Sequence, residues 1–326
     1  MRTVVAVLRG GPSSEYEVSL KTGASVLESL DRERYEPRDI FISRKGEWHS
    51  HGVPMLPERA LRGADVAFNA MHGEFGEDGG VQRLLEVLKV PYTGSNTIAS
   101  ALAFNKHATR TAVEKFGIKV PRGIVVPKTG EIEKTALKIF RSFPHPAIVK
   151  PIIGGSSVGM TVADNYNALA WGLEQAFKVG PKALVEEFIR GKEGTVGVVE
   201  RFRNEEHYSL LPVEITPPAT CNFFDYEAKY SGASREECPG TFSSEEKHLL
   251  GNIARKIHRE LGLSHYSRSD FIVAKRGIYF LEVNTLPGLT NESLLPKALH
   301  AVGAKLSEFV GHIVELARGT RTENTR

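Results

Sequence analysis

The sequence predicts an α/β protein in three successive parts, and three observations lead there. The first hundred residues alternate apolar strand-like runs with helical periodicity, as a small parallel α/β unit does. The middle stretch mixes short strands with helices, and from Gly191 onward polar and apolar residues alternate over several runs, which suits an antiparallel sheet with helices outside it. At 326 residues the chain exceeds the usual single-domain size. The expected divisions are 1–100, 101–190 and 191–319, with a solvated tail at 320–326.

In chain order, the N-terminal part reads as a strand at Val4 to Leu8, a helix from about Ser14 to Leu30, strands at Pro37 to Ile42 and Val66 to Ala70, and a helix after Gly79. Ser14 and Glu17 have the spacing of a capping box. The middle part carries "FNKHATRTAVEKFG" on a helix, then "VPRGIVV", a helix near 131–142, the strand "PAIVKP", a glycine turn, a helix from Asn165 to Phe177 and the strand "ALVEEFI". The last part holds strand patterns in "EGTVGVVE", "HYSLLPVEI", "YSRSDFIVA" and "GIYFLEVNTLPG", with helices near 243–261 and 303–317. Residues 217–241 have little periodicity; so long a loop within a domain is usually functional.

Composition excludes several classes. A net charge of +3, dispersed along the chain, argues against nucleic acid or an anionic membrane surface as partner. No stretch approaches the roughly 20 apolar residues of a membrane helix, and the opening apolar run is too short for a signal peptide. The two cysteines, Cys221 and Cys238, are expected to be free thiols in a reducing cytoplasm.

Four stretches carry chemistry. The turn "LRGGPSSEYEVSL" lies between a strand and a helix, where nucleotide folds hold phosphate, yet it lacks the GxGxxG spacing. Glu15 and Glu17 in the first helical turn would repel an anion. In "VKPIIGGSSVGM", Lys150 ends a strand before glycines and serines whose backbone N–H groups suit phosphate oxygens, although a plain hairpin turn fits the spacing equally. In "RSDFIVAKRGIYFLEVNT", Glu282 and Asn284 leave one face of a strand and Asp270 can face them from its partner. Three hard oxygen donors among apolar neighbours suit Mg²⁺. "ALVEEFIRGKE" reads as a half-buried strand whose edge could hold an adenine ring, with Glu193 near a ribose.

Taken in order, "GGPSSEYEVSL", "MHGEFGEDG", "PYTGSNTIASALAFNKHATR", "VKPIIGGSSVGM", "LVEEFIRGKE", "DYEAKY", "SRSDF" and "LEVNTLPGLTNESLLPK" resemble the D-alanine:D-alanine ligase family of the ATP-grasp superfamily. The resemblance spans nearly the whole chain. It implies an ATP-grasp fold: an N-terminal Rossmann-like domain, a central α+β subdomain and a C-terminal catalytic domain whose 217–241 loop is a lid. It also implies a cytoplasmic homodimer that joins two D-alanines for peptidoglycan precursors while ATP becomes ADP and phosphate.

By the same resemblance Glu15 contacts the ammonium of the first D-alanine, so the opening turn holds a cation. Ser156 and Tyr230 hydrogen-bond with Glu15, and His72 lies near the first substrate's carboxylate. Lys106, Lys150 and Lys229 meet ATP phosphates, with Ser156 and Ser157 on the phosphate loop, where Gly154-Gly155 supplies one glycine more than the family pattern. Glu186 and Glu193 match the adenine and ribose contacts, and Glu187, Phe188 and Ile189 the hinge. Asp270, Glu282 and Asn284 match the ligands of two Mg²⁺ ions, with Mn²⁺ as a substitute. Arg268 and the Gly288 N–H match the groups facing the tetrahedral intermediate, and Ser293 and Leu294 the second D-alanine's carboxylate pocket. The competing readings are a D-alanyl-D-lactate or D-alanyl-D-serine ligase, and a catalytically silent ATP-grasp protein.

Overall fold

The structure is a computed structural model that describes residues 2–154, 159–217 and 235–323. Strand β1 (Thr3–Gly10) lies between β2 (Tyr35–Ile42) and β5 (Val66–Asn69), parallel to both, as the alternation predicts. Two three-residue strands, β3 (Trp48–Ser50) and β4 (Val53–Met55), extend the β2 edge antiparallel. Helices α1 (Tyr16–Ser29), α2 (Pro57–Ala60) and α3 (Gly80–Val87) complete this unit. Gly10 and Gly11 turn the chain out of β1 with φ of +90° and +102°, and a Cβ on Gly10 would come within 2.2 Å of the Ile42 carbonyl oxygen. Only glycine fits that turn.

The expected capping box does not form. The Ser13 hydroxyl accepts the Glu15 N–H at 3.0 Å, Glu15 takes the N-cap position without a side-chain capping bond, and Glu17 pairs with Arg44 at 2.9 Å. The helix therefore starts later than the Ser14 pattern suggests.

Helices α4 (Thr97–Phe104) and α5 (Lys106–Lys115) follow. A second sheet is antiparallel throughout, in the order β6 (Gly123–Pro127), β9 (Lys182–Glu187), β7 (Ala147–Pro151), β8 (Thr161–Ala163). It buries Val149 and Val185 against Ala136, Leu169 and Leu173 of α6 (Ile132–Ser142) and α7 (Tyr166–Val179).

The third sheet is also antiparallel: β13 (Arg235–Glu237), β12 (Val213–Thr216), β10 (Lys192–Phe202), β14 (Tyr266–Ala274) and β15 (Gly277–Asn284), with β11 (Glu205–Ser209) on β10. One face packs Val196, Val198 and Phe271 against Leu250 and Ala254 of α8 (Ser244–Glu260). Ala99 and Ala103 of α4 and Val113 of α5 share this core, so both helices, which chain order groups with the middle part, sit on the third sheet. On the other face, Val199, Val213 and Tyr266 share a continuous core with Val5, Val7 and Phe68 of the first sheet. Helices α9 (Leu294–Ala301) and α10 (Leu306–Glu323) close that core, and α10 continues into the stretch expected to be a tail. The N-terminal unit is thus welded to the third sheet by shared apolar packing.

The 217–241 loop is shorter than expected at its C-terminal end. Residues 235–237 pair with β12, Lys297 holds Glu236 at 2.5 Å, and Gly240 and Thr241 donate to Pro212 and Glu214 at 2.9 and 2.6 Å. Cys238 is a half-buried free thiol whose acidity burial lowers, its pKa standing at about 11. Among the described residues no helix is long and apolar enough to cross a membrane.

Candidate active site

The β14–β15 hairpin sets Asp270 directly across from Glu282 and Arg268 across from Asn284. A bulge makes this possible: Phe271 pairs with Phe280, so one step along β14 matches two along β15. Phe280 and Val283 consequently enter the α8-side core, while Glu282 and Asn284 share the Asp270 face. Asp270 is buried and accepts two bonds from Arg268, at 3.0 and 2.9 Å, one from Thr195 at 2.5 Å and one from Asn284 at 3.4 Å. Burial opposes the Arg268 charge, but the attraction and hydrogen bonds of Asp270, with Glu282 and Glu77 behind them, outweigh it and raise its pKa. Glu193 is half-buried and two residues before Thr195 on β10, hence on the same face.

The first sheet brings its loops to this face. Gly73 adopts φ +70°, and a Cβ there would lie 2.2 Å from Ser13 Oγ and 3.2 Å from Glu15 Oε2. Glu77, buried, accepts the Gly73 N–H at 2.6 Å; burial first and the Glu15 charge second push its pKa up to about 8, against the pull of that N–H and of Arg268. His72 is buried, with Nε2 2.8 Å from Thr22 Oγ1 and a second bond to the Leu286 main chain. Burial, with the nearby Arg268 charge, lowers its pKa to about 4 despite the Leu286 bond, so the ring is neutral at pH 7.

One cleft is lined by Glu77, Lys106, Gly154, Glu282 and Asn284. Lys106 opens α5, lies 3.9 Å from Glu282, and donates to the Gly154 carbonyl at the mouth of the glycine loop. Glu186 is almost fully buried between Lys150, at 2.9 Å, and Arg110, which stands one helical turn after Lys106. Its carboxylate thus holds two cations in place. Burial lowers the Arg110 pKa to about 10, against the attraction of Glu114 and Glu187. The strand exit is pinned: the Glu187 N–H donates to Arg122 at 2.9 Å, the Phe188 N–H to Pro146 at 3.1 Å, and Ile189 is buried.

Comparisons with known proteins agree in family along the chain. The family model "D-ala D-ala ligase C-terminus" matches residues 112–315, and "D-ala D-ala ligase N-terminus" matches 4–56 and 51–95. The D-alanine--D-alanine ligase of Syntrophotalea carbinolica is 39% identical over 312 residues, 95% of this chain and 94% of that protein. The chain belongs to the D-alanine--D-alanine ligase family.

A second ligase of the family, from Pelotomaculum thermopropionicum, is 37% identical over 97% of both chains. Among solved structures, the VanG D-Ala:D-Ser ligase of Enterococcus faecalis superposes with a TM-score of 0.85 at 29% identity, covering 97% of this chain and 100% of its own. The D-alanine-D-alanine ligase of Coxiella burnetii gives 0.84 at 25%, covering 99% and 96%. The fold is the ATP-grasp fold of these ligases.

Of the positions matched to the ligase family, Gly288 and Ser293 lie together: a Cβ on Gly288 would come 2.8 Å from Ser293 Oγ. Ser293 opens α9, but its hydroxyl turns back to Thr290, at 2.8 Å from Oγ1, and Leu294 beside it is buried. Ser156, Ser157, Lys229 and Tyr230 lie outside the described residues. Sequence reasoning missed Arg110, Thr195 and Glu77 as members of the site. Arg110 stands four residues after Lys106, one helical turn along the same face, which is the signal that could have found it.

Proposed function

We propose that this chain is an ADP-forming ligase that joins two D-alanines through a D-alanyl phosphate, for peptidoglycan precursors. The observation that carries the reading is the single cleft in which Lys106, Glu282, Asn284 and Glu77 converge, with Arg268 clamped on Asp270 at the same sheet face.

A carboxylate is a poor electrophile, so the first D-alanine must be activated at the ATP γ-phosphate. In this reading Glu15 holds its ammonium and the neutral His72 orients its carboxylate end. Lys106 and Lys150 take ATP phosphate oxygens, Lys229 the transferred phosphoryl, and Ser156 and Ser157 line the phosphate loop. Glu186 contacts the adenine, residues Glu187 to Ile189 supply the hinge backbone beside it, and Glu193 meets the ribose. Glu186 also fixes Lys150 at 2.9 Å.

Asp270, Glu282 and Asn284 offer hard oxygen atoms on one sheet face, a donor set that fits two Mg²⁺ ions or Mn²⁺ in their place. Such ions neutralise phosphate charge when bound. Arg268 and the Gly288 N–H face the oxyanion that develops when the second D-alanine's amine attacks, and Ser293 and Leu294 receive that substrate's carboxylate. Glu77, held largely protonated at pH 7, keeps a second negative charge away from Glu15. The reading places the enzyme in the cytoplasm, where ATP is supplied, as a homodimer. Phosphate release that rises with D-alanine supports it; release indifferent to D-alanine contradicts it.

A further inference from the structure

Ser267 and Arg268 are neighbours on β14, so their side chains leave opposite faces of the sheet. On the Ser267 face, away from the ATP-grasp cleft, three metal-ligating side chains converge. Glu200 on β10 and His207 on β11 are register partners, and His258 in the last turn of α8 meets them from the helix side. One donor atom of each lies within 4.8 Å of the others. His258 Nε2 stands 3.4 Å from Glu200 Oε1. A tetrahedral Zn²⁺ with ligand bonds of about 2.0–2.1 Å spaces its donors by about 3.3–3.4 Å.

The surroundings orient these donors. His258 is fully buried, with Nδ1 2.8 Å from Ser267 Oγ. The Glu200 Oε2 atom accepts the His265 N–H at 2.7 Å, and the Glu200 carbonyl oxygen lies 2.7 Å from His312 Nε2. Hydrogen bonds of this outer kind select the ring nitrogen and carboxylate oxygen turned toward an ion. His207 is half-buried on the hairpin, its ring edge-to-face with His258 at 5.5 Å between centroids, which leaves a route from solvent.

We propose that Glu200, His207 and His258 bind one divalent transition-metal ion of the Zn²⁺ class, separate from the cleft where ATP is handled. Two imidazoles and one carboxylate favour Zn²⁺ over Mg²⁺, which prefers oxygen donors, and leave a fourth position for water. The ion ties the β10–β11 hairpin to α8, and because it binds the folded chain it raises stability.

The test uses enzyme stripped with a chelator and returned to excess Mg²⁺, which occupies the oxygen-donor cleft. Zn²⁺ is then added, bound metal is counted after equilibrium dialysis, and melting is followed. The expected result is one Zn²⁺ per chain and a raised Tm, with affinity at least about tenfold weaker in His207→Ala and in the bulkier His207→Gln. Both variants should keep Mg²⁺-dependent turnover and the metal-free Tm, and Co²⁺ should give the visible absorption of a tetrahedral site only in the parent. Failure to bind Zn²⁺, equal binding by parent and both His207 variants, or binding lost in Glu282→Gln and kept in the His207 variants overturns the proposal.

Discussion

Arg268 grips Asp270 through two parallel hydrogen bonds, Nε to Oδ1 at 3.0 Å and Nη2 to Oδ2 at 2.9 Å. The fork fixes the guanidinium plane against the carboxylate. Lysine keeps the charge but has no fork. Arg268→Lys is therefore expected to lower kcat by about 10² to 10³, the usual cost of removing an oxyanion donor. Steady-state kinetics at saturating ATP and D-alanine check this; a loss under tenfold contradicts the role given to Arg268.

Glu186 supports two buried cations, Lys150 and Arg110, so neutralising it takes a charged partner from each. Glu186→Gln is expected to cost about 3–5 kcal/mol of stability, as breaking a buried ion pair does. Urea unfolding measures it. A change below about 1 kcal/mol would mean that neither cation depends on this carboxylate.

The His72 pKa falls from 6.5 to about 4 on folding, chiefly through burial. The unfolded chain therefore binds a proton that the folded one refuses. Stability from this group is complete above about pH 6.5 and is lost as pH falls toward 4, with a slope of at most about 1.4 kcal/mol per pH unit. In His72→Gln the slope of unfolding free energy over this window should be shallower. An unchanged slope would show that His72 titrates normally.

Gly73 brings the histidine loop against the opening turn, where a methyl group would collide with Ser13 Oγ and press on Glu15. Gly73→Ala should shift Glu15 and lower kcat/KM for D-alanine by up to about a hundredfold, the cost of a misplacement near 1 Å. The KM for ATP should stay close to that of the parent. An equal loss for both substrates contradicts the assignment of Glu15 to the amino acid.

Long, evenly patterned segments were legible in the sequence. Strand β1, helix α1 and the β14–β15 hairpin, in which Ala274 pairs with Gly277 across the turn, follow from apolar periodicity, whereas the four-residue α2 leaves no period to read. Strands β3 and β4, three residues each, are too short to show a period. "HYSLLPVEI" reads as one strand but divides at Leu210–Pro212, since Pro212 has no N–H for a ladder. At the site, side-chain parity placed Glu282 and Asn284 together, yet the bulge that keeps Phe280 off their face leaves no mark in the pattern. The burial of Arg110 and the raised pKa of Glu77 arise from tertiary packing, which one sequence does not display.

Product identity tests the central claim most directly. Enzyme, ATP and Mg²⁺ are incubated with equal D-alanine, D-serine and D-lactate, and the products are resolved by mass spectrometry beside the ADP formed. The expected result is D-alanyl-D-alanine as the dominant product, with one ADP for each dipeptide. Dominance of D-alanyl-D-serine or D-alanyl-D-lactate, or ADP without any condensed product, would contradict it.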